Sequence, residues 1–317
     1  MFSRYSYVAV LNEVGEVVEE RKVPNEELEK FAKEYAGCKA VIESTGSYRF
    51  AYDILDRYMD VKLAHPSKTR IIAEARIKND SLDAKMLAHL LRTNLIAESY
   101  IPPKEVRELR DLTRARRALI EDRNRIKNRV HAILIRNGIN NINPFTKKGK
   151  EFLKELQLPK LDKALLESNL SIIDKINEEI KKIDRIIQEK AKQDDDAILL
   201  MTIPGISYYS ALLIKAEIGE INRFPNHEKL VSYAGLCLQR QSGDKEIRGH
   251  ITKQGSKLLR WILVQCANAA VRKRGLRNFY LRIRKRKGHN VAIVATARKM
   301  LVCIYHMLKK KEVYNPR

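Results

Sequence analysis

The segment CKAVIESTGSYRFAYDILDRYMDVKLA, residues 38–64, decides the fold class of this chain. Its apolar runs at 38–43 and 61–64 predict two short strands, and helical spacing of apolar residues over 48–59 predicts a helix between them. Upstream, residues 5–11 and 16–23 predict a β-hairpin around a turn. Downstream, helices are predicted at 66–77 and 81–92. Strands that alternate with helices are typical of an α/β layer, which ends near residue 102.

The middle of the chain carries apolar residues at heptad spacing, namely Leu112, Leu119, Ile126 and Ile133, and then Leu166, Ile173, Ile180 and Ile187. This spacing predicts two helices that each bury one seam, as in an α-helical coiled coil. A linker at 137–158 lets the helices fold back antiparallel or splay apart. Because Arg116 and Arg123 occupy the second seam row, we expect the first helix also to contact phosphate.

The last third of the chain predicts a mainly α domain. Ile203-Pro204-Gly205-Ile206 forms a tight turn between two helices. It is either a helix-hairpin-helix element, whose backbone amides hold a DNA phosphate, or an ordinary helical corner. A polar loop at 239–252 and a helix at 256–272 follow. The sequence therefore predicts three domains, with bounds at 1–102, 103–193 and 194–317.

Charge narrows the choice of partner. The chain has 317 residues, and its 62 Lys+Arg against 39 Asp+Glu give a formal net charge of +23. Such an excess is typical of proteins that bind polyanions. Because the basic residues are spread over several segments, nucleic acid is favoured over a membrane surface. The densest patch, 272–287, has nine basic residues interleaved with Phe279 and Tyr280, which suit stacking on bases.

The candidate nucleic-acid-binding residues are Arg114, Arg117, Arg125, Arg129, Gly205, Lys253, Lys257, Arg260, Arg272, Arg274, Arg284, Lys285 and Arg286.

Other composition features exclude several classes of protein. Four cysteines without CxxC spacing argue against a zinc site and a disulfide framework. The apolar runs are too short to predict a membrane span. No apolar leader opens the sequence, so we expect a cytoplasmic protein associated with the nucleoid.

Three carboxylates are candidate metal ligands. Glu43 ends a predicted strand, while Asp80 and Asp83 lie three residues apart at the start of a helix and share one face. Clustered carboxylates repel unless a cation neutralises them, and Mg²⁺ prefers such oxygen ligands. The alternative is that the two aspartates only complement the helix dipole.

Two sets of motifs carry a resemblance to a known family. The first set is Ile42-Glu43-Ser44-Thr45-Gly46-Ser47-Tyr48 with Lys78-Asn79-Asp80-Ser81-Leu82-Asp83-Ala84. The second set is Ile203-Pro204-Gly205-Ile206, Tyr233-Ala234-Gly235-Leu236, Gln241-Ser242-Gly243 and Ile251-Thr252-Lys253-Gln254-Gly255, running on to Leu259-Arg260. In this order and spacing they resemble the two domains of the IS110-family transposases, and the resemblance covers nearly the full chain.

The resemblance implies a RuvC-like N-terminal domain of ribonuclease H fold and a DEDD recombinase activity that uses Mg²⁺. Glu43, Asp80 and Asp83 match the second, third and fourth acids. Ser242 matches the serine that attacks a DNA phosphate and forms a covalent intermediate. Ser256 is the alternative nucleophile, although it resembles a residue near a helix start. Family members also use a non-coding bridge RNA, and they form dimers that assemble into a tetramer.

The sequence differs from the family pattern at the first acid. Its strand, which ends in Gly-Ile-Asp in the family, is expected at or just before Met1. Either the natural start lies upstream, or the element has decayed and its product binds nucleic acid without cutting it. The first interpretation is favoured, because every other motif is retained. A related DNA invertase or junction resolvase is a further alternative.

Overall fold

The protein is described by a computed structural model over residues 4–46, 48–66, 69, 80–241, 247–273 and 275–315. The chain divides into two compact units, Met1–Ile101 and Pro102–Arg317. Across the described ranges there are 11 α-helices and three two-stranded sheets, so the protein is of mixed α/β composition. The division of the chain into three domains stays a prediction.

The first unit opens with the predicted β-hairpin. Strands β1 (Tyr5–Leu11) and β2 (Val17–Pro24) pair antiparallel. The Asn12 side-chain oxygen accepts hydrogen bonds from the backbone N–H groups of Gly15 and Glu16 at 2.9 and 2.8 Å. Such a bond pattern is why Asn is favoured at turns, and it closes the hairpin.

The deciding segment forms the predicted strand, helix and strand. Strands β3 (Lys39–Glu43) and β4 (Asp60–Ala64) pair parallel, and α2 (Tyr48–Leu55) connects them. Helix α1 (Leu28–Glu34) precedes β3, and α3 (Asp80–Arg92) follows β4. One apolar core joins strands and helices, including Leu28, Ile42, Ala51 and Leu63. The helix predicted at 66–77 lies almost entirely outside the described residues.

The sheet is divided where a single layer was expected. The β1–β2 and β3–β4 pairs share no ladder in the described part of the chain. Each pair therefore leaves a strand edge without a ladder partner there. Helix α3 packs against both β1 and β3, so it spans the two pairs. The mixed α/β class is confirmed, while the finer RuvC-like arrangement is not settled by this topology.

The second unit contains both long helices that the heptads predict. Helix α4 spans Lys104–Arg136 and α6 spans Lys160–Lys192, with the short α5 (Lys147–Glu155) between them. Arg116 pairs with Asp184 near one end, whereas Arg136 pairs with Asp162 near the other. The two helices therefore pack antiparallel within one chain, and the linker folds them back rather than splaying them.

The arginines in the seam have partners inside the protein, and the expectation that the first helix also contacts phosphate stays a prediction. Arg116 pairs with Asp184 and stacks 4.1 Å from the ring centroid of Tyr209. Arg123 donates to the Asn177 side chain at 3.1 Å. A guanidinium can make such bonds while its stem lies along apolar surface, which gives both arginines a structural reason to occupy the seam.

Short helices and two long ones form the rest of the second unit. They are α7 (Asp195–Met201), α8 (Tyr208–Ile218), α9 (His227–Tyr233), α10 (Lys257–Ala270) and α11 (Leu276–Lys310). Helix α8 is buried around most of its circumference and lies in the centre of the core. This helical packing confirms the mainly α prediction for the last third of the chain.

The predicted polar loop at 239–252 is a β-hairpin instead. Strands β5 (Leu238–Gln241) and β6 (Ile247–Ile251) pair antiparallel, with Leu238 opposite Ile251 and Gln241 opposite Ile247. Ladder bonds join backbone groups, so a polar segment can form them without an apolar side-chain pattern. Residues 242–246 between the strands lie outside the described ranges.

Helix α11 is bent at one glycine. Gly288 has φ 78° and ψ 175°, a combination that residues with a Cβ rarely adopt.

The helix also includes a stretch long and apolar enough, by length and composition, to cross a membrane. The expectation that no segment reaches that threshold is therefore wrong. Because 56% of that stretch is buried inside the protein, the core helix of a globular unit accounts for it equally well.

Replacing Ile187 by Ala should lower the free energy of unfolding by about 2–5 kcal/mol, because it opens a cavity in the core. Ile187 is 0% exposed, whereas its neighbour Ile186 on the same helix is 44% exposed. Ile186→Ala is therefore the matched control, with an expected change of about 0.5 kcal/mol or less. Urea unfolding followed by circular dichroism measures both. Equal losses would contradict the burial pattern of α6.

Candidate active site and nucleic-acid interface

The base of the β5–β6 hairpin is closed by two of the sequence motifs. A Cβ at Gly255 would overlap the carbonyl oxygen of Tyr233, so the two turns touch through their backbones. The Ser256 N–H donates to that oxygen at 2.8 Å, and the Lys253 N–H donates to the Gly235 carbonyl at 3.2 Å. Gly235 and Gly255 both have positive φ. Glycine is needed at Gly255 for this close approach.

Ser256 has a structural position that agrees with its interpretation as a helix-start residue. It is the N-cap of α10, and its oxygen accepts the Leu259 N–H at 3.1 Å. Its hydroxyl also donates to the Glu217 carboxylate at 2.9 Å. A hydroxyl engaged in both directions is already committed to the fold, which weakens Ser256 as a nucleophile.

Glu217 is a buried carboxylate that the sequence analysis did not single out. It is 2% exposed and accepts two bonds from the Arg114 guanidinium, at 2.7 and 3.0 Å. Arg110 donates to the Ala216 and Glu217 carbonyl oxygens at 2.7 and 3.0 Å. Helices α4, α8 and α10 therefore meet at this carboxylate. A glutamate inside the apolar run 211–218 is the sequence signal that could have revealed it.

Arg114 thus pairs with a buried carboxylate, although its own side chain is 48% exposed. Several other candidates also have internal contacts. Arg117 stacks 3.9 Å from the Trp261 ring centroid and pairs with Glu121 at 2.7 Å. Arg260 donates to the Ala234 carbonyl at 2.9 Å, and burial lowers its pKa. Nucleic-acid binding by these residues stays a prediction.

The remaining basic candidates lie at the surface. Arg125 pairs with Asp122 within α4. The residues Arg129, Lys253, Lys257, Arg272, Arg284, Lys285 and Arg286 are exposed. Arg284 lies 5.9 Å from the ring centroid of Tyr280. Ser242 and Arg274 lie outside the described residues, so nothing in the structure tests their roles.

Gly205 has a packing reason of its own. Its φ is +93°, and a Cβ there would lie 2.6 Å from the Cys266 carbonyl oxygen on α10. The glycine therefore lets the turn between α7 and α8 approach α10 closely. Its proposed contact with a DNA phosphate stays a prediction.

The three candidate metal ligands lie on neighbouring elements. Glu43 ends β3, while Asp80 and Asp83 lie in the first turn of α3, which packs against β3. All three are exposed. Within the described ranges, no group of three His, Cys, Asp or Glu side chains is close enough to hold a metal ion. Hard carboxylate oxygens fit Mg²⁺ by their chemistry, but the structure does not gather them into one coordination shell.

Helix α3, which carries the two aspartates, is held to the first hairpin by Glu20. Lys85 of α3 pairs with this carboxylate at 2.6 Å, and Ser81 also donates to it. The Tyr7 hydroxyl donates to it at 2.7 Å from β1. Bonds from Lys85, then Ser81 and Tyr7, lower the pKa of Glu20 from 4.5 to about 2. The hydrogen bond between Tyr7 and Glu20 raises the pKa of Tyr7.

A basic cleft next to the β5–β6 hairpin was missed as a site. It has a volume of about 1180 Å³ and is lined by Lys253 and Arg286, which were predicted, by Arg282, which lies in the predicted patch 272–287, and by Arg298, which was not predicted. Arg282 and Arg286 lie four residues apart on α11, so they share one helix face. The i,i+4 spacing of these two arginines, with a glycine two residues later, is the sequence signal that could have revealed the cleft.

Two transposase family profiles match the chain. The profile described as the IS116/IS110/IS902 transposase family matches residues 197–281, in the second unit. A DEDD-type transposase profile for IS110 elements matches residues 3–137, which include the whole described first unit and α4. The two matches follow the order of the motifs in the sequence.

Curated relatives of similar length are transposases as well. The transposase for insertion sequence element IS1111A from Coxiella burnetii is 24% identical, and the alignment covers 96% of this chain and 86% of the relative. The transposase for IS1328 from Yersinia enterocolitica is 28% identical over 76% of this chain and 73% of the relative. A probable family 20 transposase from Pseudomonas aeruginosa is 24% identical, covering 95% and 92%.

Glu20→Gln should loosen α3 at neutral pH, because a neutral amide loses the ion pair with Lys85. The pKa of Glu20 is lower in the folded protein, so its stabilisation is complete above pH 4.5 and is lost as the pH falls toward about 2. Hydrogen exchange of residues 80–92 measures the effect. The wild type should be better protected at pH 7, and the difference should shrink below pH 4.5.

The matched control is Glu27→Gln, an exposed glutamate in the same unit. It should leave the protection of α3 unchanged. A difference between wild type and Glu20→Gln that persists unchanged at pH 2.5 or lower would contradict the role assigned to the carboxylate.

Proposed function

We propose that this chain, a DNA transposase that belongs to the IS116/IS110/IS902 family, cuts and rejoins DNA through a covalent intermediate at Ser242. The observation that carries the proposal is the anchored hairpin. Its base is closed by the Gly235 and Gly255 turns, and its strands end at Gln241 and Ile247, on either side of the segment with Ser242. Reacting groups need this kind of rigid support.

In the proposed step, the Ser242 Oγ attacks a DNA phosphorus atom. A serine–phosphate ester bond forms, and the bond from phosphorus to one deoxyribose oxygen breaks. The serine proton passes to a base, and the leaving oxygen takes up a proton. The reverse reaction with another DNA hydroxyl rejoins the strands. A serine hydroxyl needs activation for such an attack. Gly243 follows it in the sequence, and a residue without a side chain suits close approach of a phosphate.

Glu43, Asp80 and Asp83 are the residues that would hold Mg²⁺. A bound divalent cation would polarise the phosphate and stabilise the leaving oxygen. Support comes from donor chemistry and from placement, since β3 and α3 are packed neighbours and the Glu20 contacts hold α3 in position. The three carboxylates have no ion pair with Lys or Arg in the described chain, despite its strong positive charge.

The finer fold and partners belong to the same proposal. The parallel β3–β4 pair with its connecting helix and the antiparallel β1–β2 hairpin support a RuvC-like N-terminal domain. The exposed arginines and lysines of α4 and α11 support binding of DNA and of a non-coding guide RNA. The transposase would act on DNA of the nucleoid in the cytoplasm.

A second apolar row on α6 supports a homodimer that assembles into a tetramer. The seam toward α4 buries Ile173, Ile180 and Ile187. On another face, Leu165 and Ile172 are spaced by one heptad, and Ile186 follows two heptads later; they are 41%, 43% and 44% exposed. Exposed apolar rows of this kind are typical of helices that pair with another chain.

Ser242→Ala should abolish the covalent protein–DNA adduct while DNA binding is retained. The full chain is incubated with Mg²⁺, DNA that carries the element ends and the element's non-coding RNA, and adducts are separated on a denaturing gel. Ser256→Ala is the matched serine control and should still form the adduct, although it costs about 0.5–2 kcal/mol for the lost N-cap and about 1–3 kcal/mol for the lost hydrogen bond to the buried Glu217.

An adduct that survives Ser242→Ala would contradict the serine assignment. Salt-sensitive binding without any adduct or cleavage would favour a non-catalytic relic of the element. Cleavage of four-way junctions without an adduct would favour a resolvase.

Asp83→Asn should lower adduct formation by about 10–100-fold or more. Replacing a residue that only hydrogen-bonds to a metal ligand already costs about that much, so loss of a ligand itself should cost at least as much. Affinity for DNA should not fall, because the change removes a negative charge. The exposed Asp56→Asn in the same unit is the control and should form the adduct normally. A fully active Asp83→Asn variant would exclude Asp83 as a ligand.

A further inference from the structure

The bend at Gly288 opens a cleft in the second unit. Residues 276–287 form one arm of α11 and residues 289–310 form the other. Arg282, Ile283, Arg286 and Lys287 line the cleft from the first arm, and Asn290, Val291, Val294, Ala295 and Arg298 line it from the second. Leu238, His250 and Ile251 close it from the β5–β6 hairpin. The cleft is therefore bordered by both arms and the hairpin and is half open to solvent.

A contact between the two arms of α11 stabilises the bend. The Tyr280 hydroxyl lies 2.8 Å from Nδ1 of His289, and the two rings meet edge to face at 5.9 Å. These residues belong to opposite arms, so their contact maintains the angle between them. Tyr280 is 6% exposed, which makes it part of the unit's core. The cleft is thus a built feature of the fold.

The chemistry of the cleft is divided between its rim and its floor. Among the described residues five cations line it, namely Lys253, Arg282, Arg286, Lys287 and Arg298, and none of the described lining residues is a carboxylate. None of the five has an ion pair in the described residues. The floor is aliphatic, with Ile251, Ile283 and Val294. A ligand that matches both parts must carry anionic groups along its length and flat apolar groups between them.

We propose that this cleft binds an unpaired segment of single-stranded DNA, with bases on the aliphatic floor and phosphates on the basic rim. In a duplex the bases are stacked inside, so an apolar floor offers it nothing, whereas a base taken out of the stack is held between apolar side chains. The cleft has a volume of about 1180 Å³ and is half open, so an extended strand can lie along it.

The choice of DNA rests on the proposed function. Leu238 and His250 are each three residues from the inner strand ends, Gln241 and Ile247, which is about 10 Å along a strand. Ser242 directly follows Gln241. A strand that is cut at Ser242 would therefore enter the cleft within a few nucleotides of the scissile phosphate. The cleft would hold that strand open on one side of the cut.

Arg282→Ala with Arg298→Ala in the full chain should weaken binding of a fluorescent single-stranded DNA, measured by anisotropy, by about tenfold. The slope of log affinity against log salt should fall by about 2, since each phosphate-binding cation contributes about 1. Affinity for a blunt duplex of equal length should stay unchanged. Lys163→Ala with Lys181→Ala, two exposed lysines of α6, removes the same charge elsewhere and should have no such selective effect.

The aliphatic lining is tested separately with Val291→Ser, since Val291 lines the cleft beside the floor and is 49% exposed, so its replacement spares the core. A DNA strand with 2-aminopurine reports unstacking by increased fluorescence. The variant should reduce that increase without changing the salt slope, because only base contacts are lost. Val313→Ser, at a residue 65% exposed outside the cleft, is the control.

Equal losses of single-strand and duplex affinity in the double arginine variant would overturn the proposal, as would tighter binding of single-stranded RNA through the same residues. The outcome is distinguishable from that of the serine chemistry. A Ser242 adduct with unchanged single-strand binding in the cleft variants would leave the transposase mechanism intact and reject the cleft. Selective single-strand binding without an adduct would support the cleft and reject the serine mechanism.

Discussion

The buried carboxylate of Glu217 is the constraint on which the second unit depends. A charge at 2% exposure is tolerated only with full hydrogen bonding, and here Arg114 and Ser256 supply those bonds. One partner lies on the long arginine-rich helix and the other caps α10. The carboxylate therefore joins the antiparallel helix pair to the helical core at the point where the β5–β6 hairpin ends.

The functional elements extend from that junction. Ser256 begins α10, and the backbone contact between Gly255 and Tyr233 closes the hairpin just before it. The segment with Ser242 is consequently held at both ends by paired strands. On the outer side of the same hairpin, the bend at Gly288 opens the basic cleft. The proposed DNA-binding cleft thus borders the hairpin whose two strands flank the segment with Ser242 in sequence.

Much of this arrangement could be predicted from local patterns, and the misses have physical causes. Heptads identified α4 and α6, because burial along a helix leaves a periodic signal. The internal partners of Arg116 and Arg123 were missed, because they lie on α6 and α8, remote in sequence. The hairpin at 238–251 was missed since its ladder is a backbone interaction. The cleft depends on one glycine conformation, which composition does not reveal.

The identity of the residue that carries DNA is measured most directly by trypsin digestion and mass spectrometry of the covalent adduct. Cleavage after Arg240 and Lys245 releases the peptide Gln-Ser-Gly-Asp-Lys, whose only hydroxyl side chain is that of Ser242. We expect the nucleotide remnant on this peptide. A remnant on the peptide Gln-Gly-Ser-Lys, which contains Ser256, or on any tyrosine peptide would contradict the proposed mechanism.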